Sequence, residues 1–113
     1  MTNYSNILNK DGLLSSLGLC KRAGKLVYGD KLIPAIQNKS VKCVVLADNA
    51  SERTKKQIRD KAKHAKIDIV SGLTVEEISW AIGMVQRVAV GITDEQVLKV
   101  VMKNIERGDG LSE

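Results

Sequence analysis

The segment Arg22-Ala-Gly-Lys-Leu-Val-Tyr-Gly-Asp-Lys31 indicates the fold class, because it joins three predicted elements of secondary structure. Its glycines frame a short apolar run, residues 26–28, that predicts a β-strand between two helices. Gly24 would end the first helix, and Gly29 would allow a tight turn into the second. A strand placed between helices in this way is typical of an α/β protein.

The rest of the chain continues this alternation of helices and strands. Candidate N-terminal caps of helices are Asn9 or Asp11, Asp30, Ser51, Thr74, and Thr93 or Asp94. Three further apolar runs, at 42–47, 67–70 and 88–92, predict strands and bring their number to four. We therefore expect helices packed on both faces of one small sheet.

Length and composition predict one domain that spans residues 1–113. The chain has 113 residues, 43% of them hydrophobic, and no Ser/Gly linker or low-complexity run divides it. Residues 1–5 and 108–113 are the predicted loose ends. The apolar runs are too short to cross a bilayer, and the polar start lacks a signal-peptide pattern. A cytoplasmic protein without a membrane partner is expected.

The charge is distributed unevenly along the chain. Between Lys21 and Lys66 there are 13 Lys or Arg residues against four acidic ones, whereas the remainder carries 5 basic and 9 acidic residues. This asymmetry favours a polyanionic partner such as nucleic acid. The aromatic residues are Tyr4, Tyr28 and Trp80, too few for a ladder of rings that stacks single-stranded bases. Recognition would instead depend on RNA shape, phosphates and a few base edges.

The residue types needed for catalysis or metal binding do not occur at suitable spacings. Cys20 and Cys43 lack a CxxC partner and predict small core residues, and no metal or cofactor is expected. The spacing of Gly24 and Gly29 superficially resembles a nucleotide-binding P-loop, but Lys31 comes one position late and Leu32 replaces the required hydroxyl. The sequence therefore predicts a protein that is not an enzyme.

Two segments leave alternatives open. The basic helix that follows Ser51 is either a solvated face or an RNA-binding surface. Met84 and Val85 are either buried or form an exposed apolar tip that could cover an unstacked base.

Several motifs occur in a fixed order between about residues 13 and 101. They are Leu17-Gly-Leu-Cys-Lys-Arg-Ala-Gly-Lys-Leu-Val-Tyr-Gly29, Ala35-Ile-Gln-Asn-Lys39, Val44-Val-Leu-Ala-Asp-Asn-Ala-Ser51 with Thr54-Lys-Lys56, and Ala81-Ile-Gly83 followed by Val88-Ala-Val90. Together they resemble the L7Ae/L30e ribosomal protein superfamily, most closely its bacterial YlxQ-like branch. The resemblance implies a three-layer α-β-α sandwich with a four-stranded mixed sheet, and kink-turn RNA as the ligand.

The resemblance also implies which residues contact RNA. The turn placed against the sheared G·A pairs of the bent RNA corresponds to Gly29, Asp30, Lys31 and Leu32. A second contact surface, the loop before the last strand, corresponds to Met84, Val85, Gln86 and Arg87. The segment after the central strand corresponds to Asp48 and Asn49. Leu32 stands where many relatives carry Glu or Gln, and Ala35 replaces a lysine common in archaeal members.

The sequence thus predicts a non-enzymatic, ribosomal-protein-like domain that binds kink-turn or similarly bent structured RNA, with the ribosome as a further partner. The cations expected to contact RNA are Arg22, Lys25, Lys31, Lys55, Lys56 and Arg87. Free main-chain N–H groups from Gly29 to Leu32 would meet base edges or the RNA backbone. A protein-docking module on the same fold is the alternative. A small-molecule enzyme would require a deep pocket lined by Asp48, His64 and a hydroxyl group.

Overall fold

The computed structural model describes residues 3–105, so the predicted loose end at residues 108–113 lies outside the described part of the chain. The strands are β1 (Asn3–Tyr4), β2 (Leu26–Tyr28), β3 (Cys43–Leu46), β4 (Asp68–Val70) and β5 (Ala89–Ile92). The helices are α1 (Lys10–Arg22), α2 (Leu32–Gln37), α3 (Glu52–Ala65), α4 (Val75–Ile82) and α5 (Glu95–Met102). A 3₁₀ turn, Gly29–Lys31, separates β2 from α2. Within residues 3–105, no helix combines the length and apolar character needed to span a membrane.

The strands form one mixed sheet in the order β1-β4-β3-β5-β2. β1, β3 and β4 pair in parallel, whereas β5 runs antiparallel to both β3 and β2. The C-terminal ends of β1 to β4 and the beginning of β5 therefore meet at one edge of the sheet. We call this the upper edge and the opposite one the lower edge. The register at the upper edge places Tyr28 beside Val90 and Leu46 beside Ala89.

The prediction of four strands is wrong, because the described chain contains a fifth. Residues 1–5 were expected to be a loose end, but Asn3 pairs with Ile69 and Tyr4 with Val70 as a parallel edge strand. β1 is two residues long and has no alternating apolar pattern, so its own sequence does not identify it as a strand. It is a strand because it pairs with β4, which is distant in the chain. The mixed character of the sheet agrees with the prediction.

Side chains on the two faces of the sheet form two separate cores, which confirms the predicted three-layer arrangement. Within β3, Cys43 and Val45 pack against α1, α4 and α5, whereas Val44 and Leu46 pack against α2 and α3. This alternation is the period-two geometry of a strand buried on both faces. Cys20 and Cys43 are core residues as predicted, and burial raises the pKa of Cys43 to about 12.

Polar side chains begin four of the five helices at predicted positions. The caps are Asn9, Ser51, Thr74 and Asp94, each accepting a hydrogen bond from a main-chain N–H of its helix. The prediction that Asp30 caps a helix is wrong, because no side chain caps either the 3₁₀ turn or α2. The chain enters α2 through Lys31 in a helical conformation, so the extended residue that a cap requires is missing.

A capping box fixes the start of α4. Thr74 accepts a hydrogen bond from the N–H of Glu77, and the Glu77 carboxylate accepts one from the N–H of Thr74. The same carboxylate lies 2.9 Å from the Lys10 ammonium. These partners, Lys10 first, lower the pKa of Glu77 below its usual value of 4.5. The ion pair links α1 to α4 near the upper edge, and the cap holds the start of α4.

Because the pKa of Glu77 is lowered in the folded state, its contribution to stability is present above about pH 4.5 and is lost as the pH falls through the folded-state value. We expect Glu77→Gln to reduce the free energy of unfolding at about pH 7 and to change it much less at about pH 2.5. Urea unfolding at both pH values measures this difference, with the exposed Glu95→Gln as the control. An equal loss at both pH values would contradict the role of the carboxylate.

Candidate nucleic-acid interface

At the upper edge, the β2–α2 turn lies against the loop that enters β5. Tyr28 ends β2 and pairs with Val90, so Arg87, three residues before Val90, comes beside it. The Arg87 guanidinium carbon lies 5.0 Å from the centroid of the Tyr28 ring. We call Tyr28, Gly29, Asp30, Lys31 and Arg87 the arginine corner.

Gly29 is required in this corner for two reasons. Its φ angle of +66° lies in the left-handed region that side chains with a Cβ rarely adopt. A Cβ at this position would also lie 3.0 Å from Nη1 of Arg87. The glycine therefore makes the turn and leaves room for the guanidinium.

The loop between α4 and β5 holds Arg87 by its backbone. The Arg87 N–H donates a hydrogen bond to Oγ of the buried Ser79 at 2.8 Å. Gln86, directly before it, has a φ of +54°, an uncommon conformation for a residue other than glycine. The hydrogen bond to Ser79 and the backbone angle of Gln86 thus fix the position of the Arg87 backbone.

Met84 and Val85 differ in burial, which the sequence alone did not determine. Met84 is half-buried and packs against the core formed with α1, α4 and α5. Val85 is 80% exposed and forms an apolar tip of the loop. Only Val85 therefore fits the alternative of an exposed apolar contact.

Arg87 has an unusual electrostatic environment. Its Nε is buried and has no hydrogen-bond partner among residues 3–105, and its guanidinium forms no ion pair there. An unpaired buried donor ordinarily costs about 1–3 kcal/mol. A cation over an aromatic face gains about 0.5–2 kcal/mol, which offsets part of that cost. The side chain contacts the Tyr28 ring rather than a carboxylate, so no carboxylate among residues 3–105 forms an ion pair with its positive charge.

Two clefts meet at the arginine corner. The first, of about 470 Å³, runs along the outer edge of β2 and is lined by residues 26–31 and Arg87. The second, of about 180 Å³, lies between α2, α3 and the beginning of β5, and includes Thr54 and Gln57 of α3. Gly29 and Arg87 line both clefts and therefore lie where the two meet, and we call this boundary the ridge.

Leu32 contributes to this region differently from what the sequence suggested. Its side chain is 4% exposed and packs in the core beneath α2, and its N–H donates to the carbonyl of Gly29. The prediction of a free amide at Leu32 is therefore wrong. The N–H groups of Gly29 and Asp30 lie ahead of the hydrogen bonds within the turn. Ala35 is also buried.

Asp48 and Asn49 lie at the upper edge, where their side chains join two loops. Asp48 Oδ1 accepts a hydrogen bond from the N–H of Gly72 at 2.8 Å. Asn49 Oδ1 accepts one from the N–H of Val75 at 2.8 Å, and its amide donates to Glu76. These bonds tie the β3–α3 connection to the start of α4.

Three of the lysines expected to contact RNA lie near the starts of α2 and α3 and differ in their environments. Lys31 is exposed and forms no ion pair with any residue in 3–105. Lys55 is 16% exposed, lies 3.0 Å from Glu52 and donates to the carbonyl of Asp48. Lys56 is exposed and lies 3.1 Å from Asp60. Of the three, Lys31 is the cation that belongs to the arginine corner.

Arg22 and Lys25 lie at the lower edge, away from the corner. Arg22 ends α1, and Lys25 precedes β2 and lies 3.5 Å from Asp94 at the start of α5. β2 separates them from Gly29 by about 10 Å, the length of a three-residue strand. The structure therefore brings Lys31 and Arg87 together and does not bring Arg22 and Lys25 to the same site.

The residues required for an enzyme pocket do not converge. His64 is exposed near the end of α3 and lines a groove with Gln37, Gln57 and Asp60. Asp48 precedes the start of α3, and the helix from its first residue to His64 is about 18 Å long. Among residues 3–105, no group of three or more His, Cys, Asp or Glu side chains could hold a metal ion.

Tyr28 and Ser79 are the residues of this site that sequence reasoning missed. Tyr28 was counted only as one of few aromatic residues, although its place directly before a turn glycine at the end of a strand was visible. No sequence signal indicated Ser79, because its hydrogen bond to the Arg87 amide depends on how the loop folds back on α4.

The chain is similar to known proteins over most of its length. The model of the ribosomal protein L7Ae/L30e/S12e/Gadd45 family matches residues 11–102. A protein of Enterococcus faecium, named RNA-binding protein YlxQ, is 35% identical over 99 residues, which cover 87% of this chain and 95% of the relative. A Bacillus subtilis protein of the same name is 36% identical over 80 residues, 70% of this chain and 80% of the relative.

Solved structures share the fold. A Bacillus halodurans protein described as having unknown function superposes with a TM-score of 0.71 at 31% identity, covering 79% of this chain and 95% of that one. The Giardia lamblia 15.5kD RNA binding protein superposes with a TM-score of 0.68 at 13% identity, covering 82% and 84% of the two chains. The second similarity concerns the fold alone.

The α-β-α sandwich and its family model place the chain among proteins of ribosomal-protein type. It belongs to the ribosomal protein L7Ae/L30e/S12e/Gadd45 family and, within it, to the YlxQ-like branch. The resemblance stated from the sequence is thereby confirmed.

The contacts of Asp48 predict a measurable structural role. Asp48→Ala removes the acceptor of the Gly72 N–H and is expected to lower the free energy of unfolding by about 1–2 kcal/mol. The control is Asp60→Ala, which removes an exposed carboxylate paired with Lys56 and should change stability by no more than about 0.5 kcal/mol. Urea unfolding of both variants tests this, and equal stabilities would contradict the loop-joining role.

Proposed function

We propose that this protein is a non-enzymatic RNA-binding protein that recognises kink-turn or similarly bent structured RNA through the arginine corner. The proposal includes a cytoplasmic location and structured RNA, such as ribosomal RNA, as the partner. It extends to this chain the RNA binding that the names of two relatives state.

The observation that carries the proposal is the position of two unneutralised cations beside a glycine turn. Arg87 and Lys31 both line the cleft along β2, and neither forms an ion pair with another residue in 3–105. The N–H groups of Gly29 and Asp30 add donors between them. Cations with main-chain donors are the groups that contact phosphate oxygens and base edges in RNA complexes.

The shape of the site supports a bent ligand rather than a straight duplex. The ridge formed by Gly29 and Arg87 separates two clefts, and Val85 stands exposed at the tip of the adjoining loop. A-form duplex RNA offers side chains mainly phosphates and 2′-hydroxyls, whereas a sharp bend exposes base edges and extrudes nucleotides. A ridge with donors on it can enter such a bend, and Val85 can cover an unstacked base.

The affinity is expected to depend on RNA shape at any salt concentration. A kink-turn RNA and a straight duplex of equal length are titrated with the protein at two salt concentrations. We expect the kink-turn RNA to bind more tightly at both, and both affinities to fall with salt because phosphate contacts release counterions. Equal affinities for the two RNAs would contradict shape recognition. Binding of neither RNA would contradict RNA binding and favour the docking alternative.

Lys31→Glu should weaken binding of the kink-turn RNA by at least ~1 kcal/mol, because it replaces a cation of the corner by a second carboxylate beside Asp30. Lys42→Glu makes the same change of charge at an exposed position before β3, at the lower edge, and serves as the matched control. Titrations of both variants under the same conditions distinguish the effect of losing a cation in the corner from the effect of lowering the net charge. Equal effects of the two substitutions would show that net charge, and not the corner, governs binding.

A further inference from the structure

The Arg87 guanidinium lies over the ring of Tyr28. The guanidinium carbon lies 5.0 Å from the ring centroid, and Gly29 leaves the space that it occupies. Ser79 holds the backbone of Arg87, so both the main chain and the end of the side chain are fixed. Tyr28 itself has no role in the contacts proposed above.

We propose that Tyr28 is a positioning residue, which holds the Arg87 guanidinium in the orientation that binds a pair of adjacent acceptor atoms on RNA. This inference rests on the proposed function, because it concerns how the same site reaches its affinity. It assigns to Tyr28, which lines the same cleft, control over the orientation of the arginine that binds RNA.

The geometry of a guanidinium supports this division of roles. Its flat face can stack on an aromatic ring while its N–H donors lie in the plane of the group and point outward from its rim. Stacking on Tyr28 therefore uses a surface that hydrogen bonding to RNA does not need. The buried Nε has no hydrogen-bond partner among residues 3–105, so no acceptor in this part of the chain competes with the ring at that edge of the group.

An arginine that already lies on an aromatic ring also loses less side-chain conformational entropy when it binds. A long side chain that is mobile before binding must be ordered when the complex forms, which reduces affinity. The contact with the Tyr28 ring and the limited space beside Gly29 restrict the conformations open to the Arg87 side chain. Removing the ring should therefore weaken binding even though every RNA-contacting group remains.

Lysine could not replace the arginine in this arrangement. An ammonium group has no planar face to stack and no fork of donors to match two adjacent acceptors. The two sources of such an acceptor pair in RNA are the oxygens of a phosphate and the O6 and N7 atoms of a guanine. The dependence of affinity on salt distinguishes them, because a phosphate contact contributes to counterion release and a base contact does not.

The test is a double-mutant cycle with the kink-turn RNA. Tyr28→Leu keeps an apolar side chain without a ring and should weaken binding about three- to tenfold. Tyr28→Phe keeps the ring and should bind within about twofold of the wild type. In an Arg87→Ala background, Tyr28→Leu should have no further effect, because the tyrosine acts through the arginine. Arg87→Lys should fail to restore the affinity lost in Arg87→Ala.

A measurement on the free protein checks the stack without RNA. In the NMR spectrum of the wild type, the δ-protons of Arg87 should be shifted upfield by the Tyr28 ring. The shift should persist in Tyr28→Phe and vanish in Tyr28→Leu, while thermal unfolding confirms that both variants fold.

The outcomes separate this inference from the proposed function. Failure of the wild type to bind RNA overturns both. If the wild type binds and Tyr28→Leu binds equally well, or if Tyr28→Leu is just as harmful without Arg87, the positioning role is wrong and the proposed function stands. Loss of affinity in Tyr28→Phe equal to that in Tyr28→Leu would also overturn it, because the ring would then not be the active part.

Discussion

The antiparallel pairing of β5 with both β2 and β3 is the constraint on which the site depends. Because β5 runs opposite to its neighbours, it begins at the edge where they end, with Val90 beside Tyr28 and Ala89 beside Leu46. The loop before β5 is thereby brought onto the glycine turn, and Arg87 reaches the Tyr28 ring. A parallel β5 would begin at the lower edge, about 13 Å away along a strand of four residues.

The other polar groups at the upper edge form two sets. One set makes hydrogen bonds that hold the loops together, and the other is available to a ligand. Asp48 and Asn49 bind main-chain N–H groups of the β4–α4 connection, and Lys55 binds the Asp48 carbonyl. Lys31 and Arg87 are not neutralised by any carboxylate among residues 3–105. The first set forms its hydrogen bonds within the protein, so the second set and the turn between its members are the groups that we propose contact RNA.

Local patterns in the sequence were sufficient for most of the fold, and less so for the site. The helix caps and central strands follow from short-range spacing, and the motifs indicated the family. The strand at Asn3 and the packing of Leu32 depend on partners far away in the chain, so no local pattern could reveal them. Charge alone also could not separate Lys31 from Lys25, because the strand between them places them at opposite edges. The stack of Arg87 on Tyr28 depends on strand register, which the sequence does not state.

We propose that RNA contacts the protein at the ridge formed by the glycine turn and Arg87. The most direct test is to follow main-chain amide NMR signals of the ¹⁵N-labelled protein while a kink-turn RNA is added. We expect the largest shifts at Gly29, Asp30, Lys31 and Arg87, and small shifts in α5. Shifts concentrated in α5 or at the lower edge, with the ridge unchanged, would contradict it.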